Sequence, residues 1–340
     1  MPRTFGSVFR ILVGIVLSVG LIHLTLKTTG GTFWSELLMA KKIYLLLPLL
    51  LSGGVLAIQT YRWNLLLKVQ GIHMKGWDLF RLTLIGIFFN LALPGAVSGD
   101  VVKVGFAVRQ VKDKKVEAAV SVLMDRVLGL FGLLPLASLM VLLNLPFLLE
   151  LEPKYRHIQI AAFAVGLGSI IAILTIAMVE SRHIFMRWQR VVWIVHWGKV
   201  KLPALIVSRL ERLVHALELY HDNRRTLAFA IGLSILVHSC LALNLFFVGI
   251  SYGENVLSLS DYFLTTQVSN AIAAIPVTPA GIGTRDAVTA MFLAALQVPR
   301  AIIGVVPVTV TLIILFWGLV GGTVLVFSRS PKCAPEIRAL

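Results

Sequence analysis

The sequence predicts an all-α, polytopic membrane protein with about six transmembrane helices and two re-entrant helical hairpins in an inverted repeat. Three observations predict it. Of 340 residues, 58% are hydrophobic and only 14% charged, and mean hydropathy is +0.89, whereas a soluble domain carries about a quarter charged residues. Apolar runs of roughly 18 residues or more recur along the chain, the length needed to cross a hydrocarbon core. Two further apolar stretches are broken in the middle by glycine and proline. The alternating segments of about ten residues that mark a β-barrel do not occur.

The net charge of +15 would suggest nucleic acid in a soluble protein. In a membrane protein the same excess follows from the gathering of Lys and Arg in cytoplasmic loops, so no nucleic-acid partner is expected. Cys240 lies in an apolar span and Cys333 in a polar tail; neither has a His or Cys at metal-ligand spacing, and no metal or other cofactor is implied.

The N-terminal apolar stretch, Ile11 to Leu26, lacks a small-x-small cleavage site and reads as an uncleaved first span. A second span, about Ile43 to Leu66, carries Tyr61-Arg62-Trp63 near its end, the signature of an interfacial belt. The stretch from Leu79 to Val108 is broken at Pro94-Gly95-Ala96-Val97-Ser98-Gly99-Asp100. Each arm is too short for a core that needs ~20 residues. Lys68, Lys75 and Arg81 precede it, and Arg109, Lys112, Lys114 and Lys115 follow it, so both ends lie on one side. A re-entrant hairpin is the simplest object with these properties.

Spans follow at about Ala118 to Leu143 and Ile158 to Val179. The basic stretch 180–225 then offers two amphipathic helices: Ile184, Trp188, Val191 and Val195 form one stripe, and Ile206, Leu210, Leu213, Leu217 and Tyr220 the other. Both read as cytoplasmic helices on the bilayer surface, anchored by Trp188, Trp193 and Trp197. The second half holds a span at about Leu227 to Ile250, a broken stretch 261–297 and a last span, Ala301 to Phe327. The Lys/Arg distribution places both termini in the cytoplasm of a cell whose inner membrane holds the protein; Lys27, Lys41 and Lys42 run against it.

With this orientation the broken stretches enter from opposite faces, making half-repeats of about 43–143 and 227–327 within a single membrane domain spanning 1–340. Their chemistry repeats: Asn90, Pro94, Gly95, Gly99 and Asp100 in one, and Asn270, Pro276, Pro279, Gly281, Gly283 and Asp286 in the other. Paired interruptions in matching positions point to a substrate site near the midplane. Irregular backbone at depth needs buried protein or a polar cavity to satisfy its amides. Each break also opens a helix whose N-terminal amides suit a phosphate, although Asp100 and Asp286 are equally suited to cap those helices.

Lys103, Asp125, Arg126 and Arg285 are further ionisable groups inside apolar segments, where charge is costly and faces a cavity or a partner. Lys103 or Arg285 could pair with Asp125, and Asp100 or Asp286 with Arg126. His238 suits a proton relay or an interhelical hydrogen bond. No G-x-x-x-x-G-K, H-E-x-x-H or G-x-S-x-G motif occurs.

Four motifs in order carry a resemblance over nearly the whole chain. They are Tyr61-Arg62-Trp63-Asn-Leu-Leu-Leu, Asn90-Leu-Ala-Leu-Pro94-Gly-Ala-Val-Ser-Gly99-Asp100-Val-Val-Lys103, Leu123-Met-Asp125-Arg126-Val-Leu-Gly-Leu, and Pro279-Ala-Gly281-Ile-Gly283-Thr-Arg285-Asp286-Ala. Together they resemble the lysylphosphatidylglycerol synthase transmembrane (flippase-like) family, the membrane half of the bacterial multiple peptide resistance factor, in a stand-alone form. The resemblance implies movement of lipid between leaflets, with the motif residues around a central headgroup cavity. Lys103 stands where the family usually has Arg. No segment is polar enough for the synthases' soluble aminoacyl-transfer domain, so lipid aminoacylation is not expected.

The residues therefore lead to a flippase for an anionic or phosphate-bearing lipid, either a phospholipid or a polyprenyl-phosphate-linked one, and not to an enzyme. The expected partners are membrane lipids with anionic headgroups, and a homo-oligomer is compatible with the sequence. The expected substrate-binding residues are Asn90, Pro94, Gly95, Gly99, Asp100, Lys103, Asp125, Arg126, Asn270, Pro279, Gly281, Gly283, Arg285 and Asp286. The alternative is an enzyme or accessory factor of lipid-linked glycan synthesis, with Asp100 or Asp286 as a base.

Overall fold

The computed structural model describes residues 20, 22–23, 33–93, 98–111, 113–180, 204–275 and 277–327. The first span and the 184–195 amphipathic stripe lie outside these residues, apart from Gly20, Ile22 and His23. The described residues form an all-α, polytopic membrane protein. Its main elements are α1 (Phe33–Met39), α2 (Lys42–Val69), α3 (Gly76–Ala92), α4 (Ser98–Gln110), α5 (Lys115–Leu143), α6 (Arg156–Glu180), α7 (Ala204–Asp222), α8 (Arg224–Ser251), α9 (Leu259–Ala273), α10 (Thr284–Ala295) and α11 (Val305–Phe327). Short helical turns at Leu145–Leu149, Pro153–Tyr155, Pro279–Gly281 and Arg300–Ile303 join them.

Five helices among the described residues are long and apolar enough to cross a membrane, running over Lys42–Val69, Lys115–Leu143, Pro153–Leu174, Arg224–Ser251 and Arg300–Phe327. Their outer faces carry exposed large side chains such as Leu139, Leu167, Leu236 and Leu319. A bilayer gives such side chains an apolar solvent.

α3 and α4, with 17 and 13 residues, reach only about 25 and 20 Å at the helical rise. They pack on each other as a hairpin, as do α9 and α10. α3 ends where Leu93 turns extended, at ψ 145°, the conformation that a following proline imposes. The second tip turns through Ala280, Gly281 and Gly283, at φ 49°, 70° and 80°. A Cβ on Gly281 would come within 2.7 Å of the Ala273 Cβ, so the tip closes only on glycine.

The hairpins enter from opposite ends of the bundle. α2 and α8 run antiparallel: Lys41 N–H bonds the Ser251 carbonyl at 2.9 Å, while Leu66 at the other end packs with Ala230. The open end of the first hairpin packs with the end of α2 and the start of α5, through Trp63, Leu67, Leu79, Ala107 and Ala118. The open end of the second packs with the end of α8 and the start of α11, through Leu245, Val248, Tyr262, Leu293 and Val306. The α2 and α8 termini concerned lie at opposite ends.

The packing repeats accordingly. Exchanging α2 with α8, α3 with α9, α4 with α10 and α5 with α11 turns each helix contact of one half into a contact that also exists: α3 on α11 becomes α9 on α5, and α5 on α8 becomes α11 on α2. α6 lies outside this scheme, against α5 and α9. Glycine permits the closest crossings: a Cβ on Gly321 would overlap the Leu84 carbonyl, and one on Gly132 would overlap Ser234. Small residues of this kind let helix backbones approach within a membrane.

α7 departs from the sequence reading. Its predicted stripe docks on protein at its C-terminal end, where Ala216 and Tyr220 are buried against Leu66, Val120 and Leu128. The Tyr220 hydroxyl donates to the Leu66 carbonyl at 3.1 Å, and the Gln70 amide to the Ala216 carbonyl at 2.8 Å. An amphipathic face does not by itself distinguish a protein groove from a lipid surface, and here the end of α2 supplies the groove.

Candidate functional site

Both hairpin tips open on a polar chamber of about 290 Å³. Asn90, Asp100 and Lys103 reach it from the first hairpin, Asp125 and Arg126 from α5, Arg62 from α2, His238 from α8, and Asn270 and Ala274 from the second hairpin. Arg62 Nε donates to Asp125 Oδ1 at 2.7 Å, and Arg62 Nη1 to the Ser234 hydroxyl at 2.6 Å. Lys103 Nζ lies 3.6 Å from the other Asp125 oxygen and 4.2 Å from the centre of the Trp63 ring. Asp125 is thus held by two cations, which is what makes three buried charges tolerable at depth.

The second pair is more open. Arg126 Nη1 donates to Asp100 Oδ2 at 2.5 Å, and the two side chains keep 31% and 25% of their exposure. Arg126 and Asp125 are sequence neighbours, so they leave α5 on different sides and take separate partners. Three cations against two carboxylates give the chamber one net positive charge. His238 Nε2 meets the Gly129 carbonyl at 3.1 Å, an interhelical hydrogen bond.

A second cavity of about 190 Å³ adjoins the first and shares Leu241 and Asn270 with it. Arg285 and Asp286 line this one. Thr311 joins them: Arg285 Nη2 donates to its hydroxyl at 2.8 Å, and that hydroxyl donates to Asp286 at 2.8 Å. Asp286, fully buried, also accepts from the Gly283 amide at 3.0 Å and so caps α10.

These bonds decide among the pairings left open by the sequence. Asp125 pairs with Lys103 and Arg126 with Asp100, whereas Arg285 is held beside Asp286 in the neighbouring cavity, away from Asp125. Of the helix-opening amides, Gly99 N–H already donates to Asn90 Oδ1 at 2.7 Å and Gly283 N–H to Asp286. The tips therefore offer side-chain cations rather than those two amides. Gly99 packs against Gly86 and Asn90. Pro279, Gly281 and Gly283 shape the second tip without lining either cavity. Pro94, Gly95 and Pro276 lie outside the described residues.

The sequence reading missed Arg62. The Tyr-Arg-Trp triplet suggested an interface, yet Arg62 and Trp63 are buried and only Tyr61 is exposed. Trp63 Nε1 donates to Ser121 at 3.2 Å, inside the bundle. The available signal was position: Arg62 precedes the helix end at Val69 by seven residues, roughly 10 Å of rise. Ser52, Asn244, Thr266, Ser269 and Thr289 of the second cavity were also missed, because isolated small polar residues in apolar helices carry no pattern.

This is a membrane protein whose two inverted halves each insert a hairpin toward a buried polar centre. The chain belongs to the family described as the lysylphosphatidylglycerol synthase TM region, which it matches over residues 11–322. It is 25% identical to a UPF0104 membrane protein of Pyrococcus horikoshii over 338 residues, covering 93% of this chain and 96% of the relative. A UPF0104 membrane protein of Methanocaldococcus jannaschii is 24% identical over 271 residues, 76% of each chain. Another, from Methanothermobacter thermautotrophicus, is 22% identical over 294 residues, 83% of each.

Proposed function

We propose that the protein moves a lipid with an anionic, phosphate-bearing headgroup between membrane leaflets. The headgroup enters the chamber while the acyl chains stay in the bilayer. One observation carries the reading: hairpin tips from opposite ends of the bundle share a polar chamber with one net positive charge. A phosphodiester, with a single negative charge, balances it. Arg126 is the recognising cation, because its pair with Asp100 is the least buried of the three and a phosphate oxygen competes directly with that carboxylate. Lys103, Arg62 and Asp125 hold the chamber's shape and field, and Asn90 and Asn270 frame it.

Inverted repeats suit alternating access, since exchanging the packing of the two halves exchanges which end is open. The lipid named in the family's description supports a lipid-related role. The Lys/Arg pattern supports a cell inner membrane with both termini cytoplasmic. Reconstitution in liposomes with a fluorescent phosphodiester lipid tests the reading. Purified wild-type protein is expected to expose inner-leaflet lipid to an external quencher, and Arg126→Gln to slow that exposure at least about tenfold, the effect of one charge-assisted hydrogen bond. Equal rates in protein-free liposomes, or an unchanged rate for Arg126→Gln, would overturn it.

A further inference from the structure

The second cavity differs from the chamber in one decisive respect: its charges cancel. Arg285 and Asp286 are both in its wall, bound to each other through Thr311. Neither an anion nor a cation gains from entering it. It is nevertheless polar, and two of its polar groups are unsatisfied. Asn244 is 3% exposed and Thr266 is 6% exposed. Asn244 Nδ2 donates to the Pro48 carbonyl at 2.9 Å and to the Ser52 hydroxyl at 2.6 Å. A carbonyl can only accept, so the amide cannot flip, and Asn244 Oδ1 is left as an acceptor without a donor. The Thr266 hydroxyl likewise has no partner.

A buried acceptor left unmet costs roughly 1–3 kcal/mol, so two of them at one neutral cavity define what would fill it: a small, uncharged group that donates hydrogen bonds. A hydroxyl has that chemistry. The cavity adjoins the chamber, with Asn270 in the wall of both. One headgroup can therefore place a phosphate beside Arg126 and its substituent beside Asn244 and Thr266.

We infer that the second cavity binds the neutral, hydroxyl-bearing part of the headgroup, so that the substrate class is a phosphodiester lipid with a polyol headgroup. This rests on the translocation reading above and adds the selectivity to it. The pocket around Asn244 and Thr266 recognises the polyol, and the chamber recognises the phosphate.

The test compares lipids that differ only in that substituent. Liposomes containing the purified protein carry fluorescent phosphatidylinositol or phosphatidylglycerol, both with hydroxyls, or phosphatidylethanol, which has the same charge and none. Wild type is expected to move the polyol lipids faster than phosphatidylethanol by roughly two- to tenfold per hydrogen bond gained. Thr266→Val, which keeps the shape and removes the hydroxyl, is expected to bring that ratio toward one. Thr265→Val is the control: Thr265 is also buried with an unpartnered hydroxyl, but it does not line the cavity, and the ratio should stay at the wild-type value. Equal rates for all three lipids, with Arg126→Gln slowing each, would overturn the polyol pocket and leave translocation standing. A polyol preference that survives Thr266→Val would also overturn it. No movement of any lipid would overturn both readings.

Discussion

Arg62 and Asp125 form a 2.7 Å ion pair that ties α2 to α5 inside the bundle, and the same guanidinium reaches Ser234 on α8. Three spans thus converge on one side chain, which a sequence pattern places at a membrane interface. The pair is almost wholly buried, with side-chain exposures of 6% and 11%. Removing one partner of such a pair typically costs about 3–5 kcal/mol, whereas replacing both with apolar groups costs far less. Arg62→Met is therefore expected to lower the thermal midpoint of the detergent-solubilised protein steeply. Arg62→Met with Asp125→Leu should recover much of the loss, although Lys103 then lacks its partner. Equal midpoints for wild type and Arg62→Met would contradict this.

Gly132 and Gly54 make a matched pair of substitutions. A Cβ at position 132 would run into Ser234 of α8, including its carbonyl carbon at 2.6 Å. Gly132→Ala is expected to destabilise by about 1–3 kcal/mol, as overpacking does. A Cβ at position 54 meets nothing within 4 Å. Gly54→Ala should be neutral or stabilising by roughly 0.5–1 kcal/mol, from helix propensity. Thermal unfolding of both variants checks the contrast.

Burial holds the Tyr220 phenol well above the usual tyrosine range, and its hydrogen bond to the Leu66 carbonyl needs the proton. The folded-state pKa is raised, so the linked stability is complete below the unfolded value, near 10, and is lost as pH rises above it. Unfolding midpoints measured from pH 8 to 11 should fall more steeply for wild type than for Tyr220→Phe (about these pH values bracket a free tyrosine). Parallel slopes would place the alkaline loss elsewhere.

The hairpins were legible because their cause is local. Pro94 breaks a helix wherever it lies, and Gly281 and Gly283 permit a backbone that other residues resist, so the interruptions and their repetition stand in the sequence itself. Pairing was legible only in part. The sequence offered Asp125 two cations and the bundle chose Lys103, then added Arg62, which no spacing rule connects to a residue 63 positions away. Thr311 is the clearest case of what local reading loses. A threonine in an apolar helix has no visible role until the fold sets it between Arg285 and Asp286. The missed residues are therefore mainly those whose meaning depends on a distant partner.

The topology has its own test, because the two hairpins must be open to opposite compartments. In a Cys240→Ser, Cys333→Ser background, single cysteines at Asp113, beyond α4, and at Ser258, before α9, are expected to react with an impermeant thiol reagent from opposite sides of the membrane. Labelling of both from one side would contradict the inverted entry of the hairpins.

The most direct measurement tethers the two hairpins across the chamber. Ile87 of α3 and Ala274 at the second tip both line it, and cysteines at these positions can be joined by a short, reducible bifunctional linker in liposomes during the lipid translocation assay. Tethering is expected to stop translocation, and reduction to restore it, because the headgroup path runs between the tips. Full translocation by a tethered protein would contradict a shared chamber as the route.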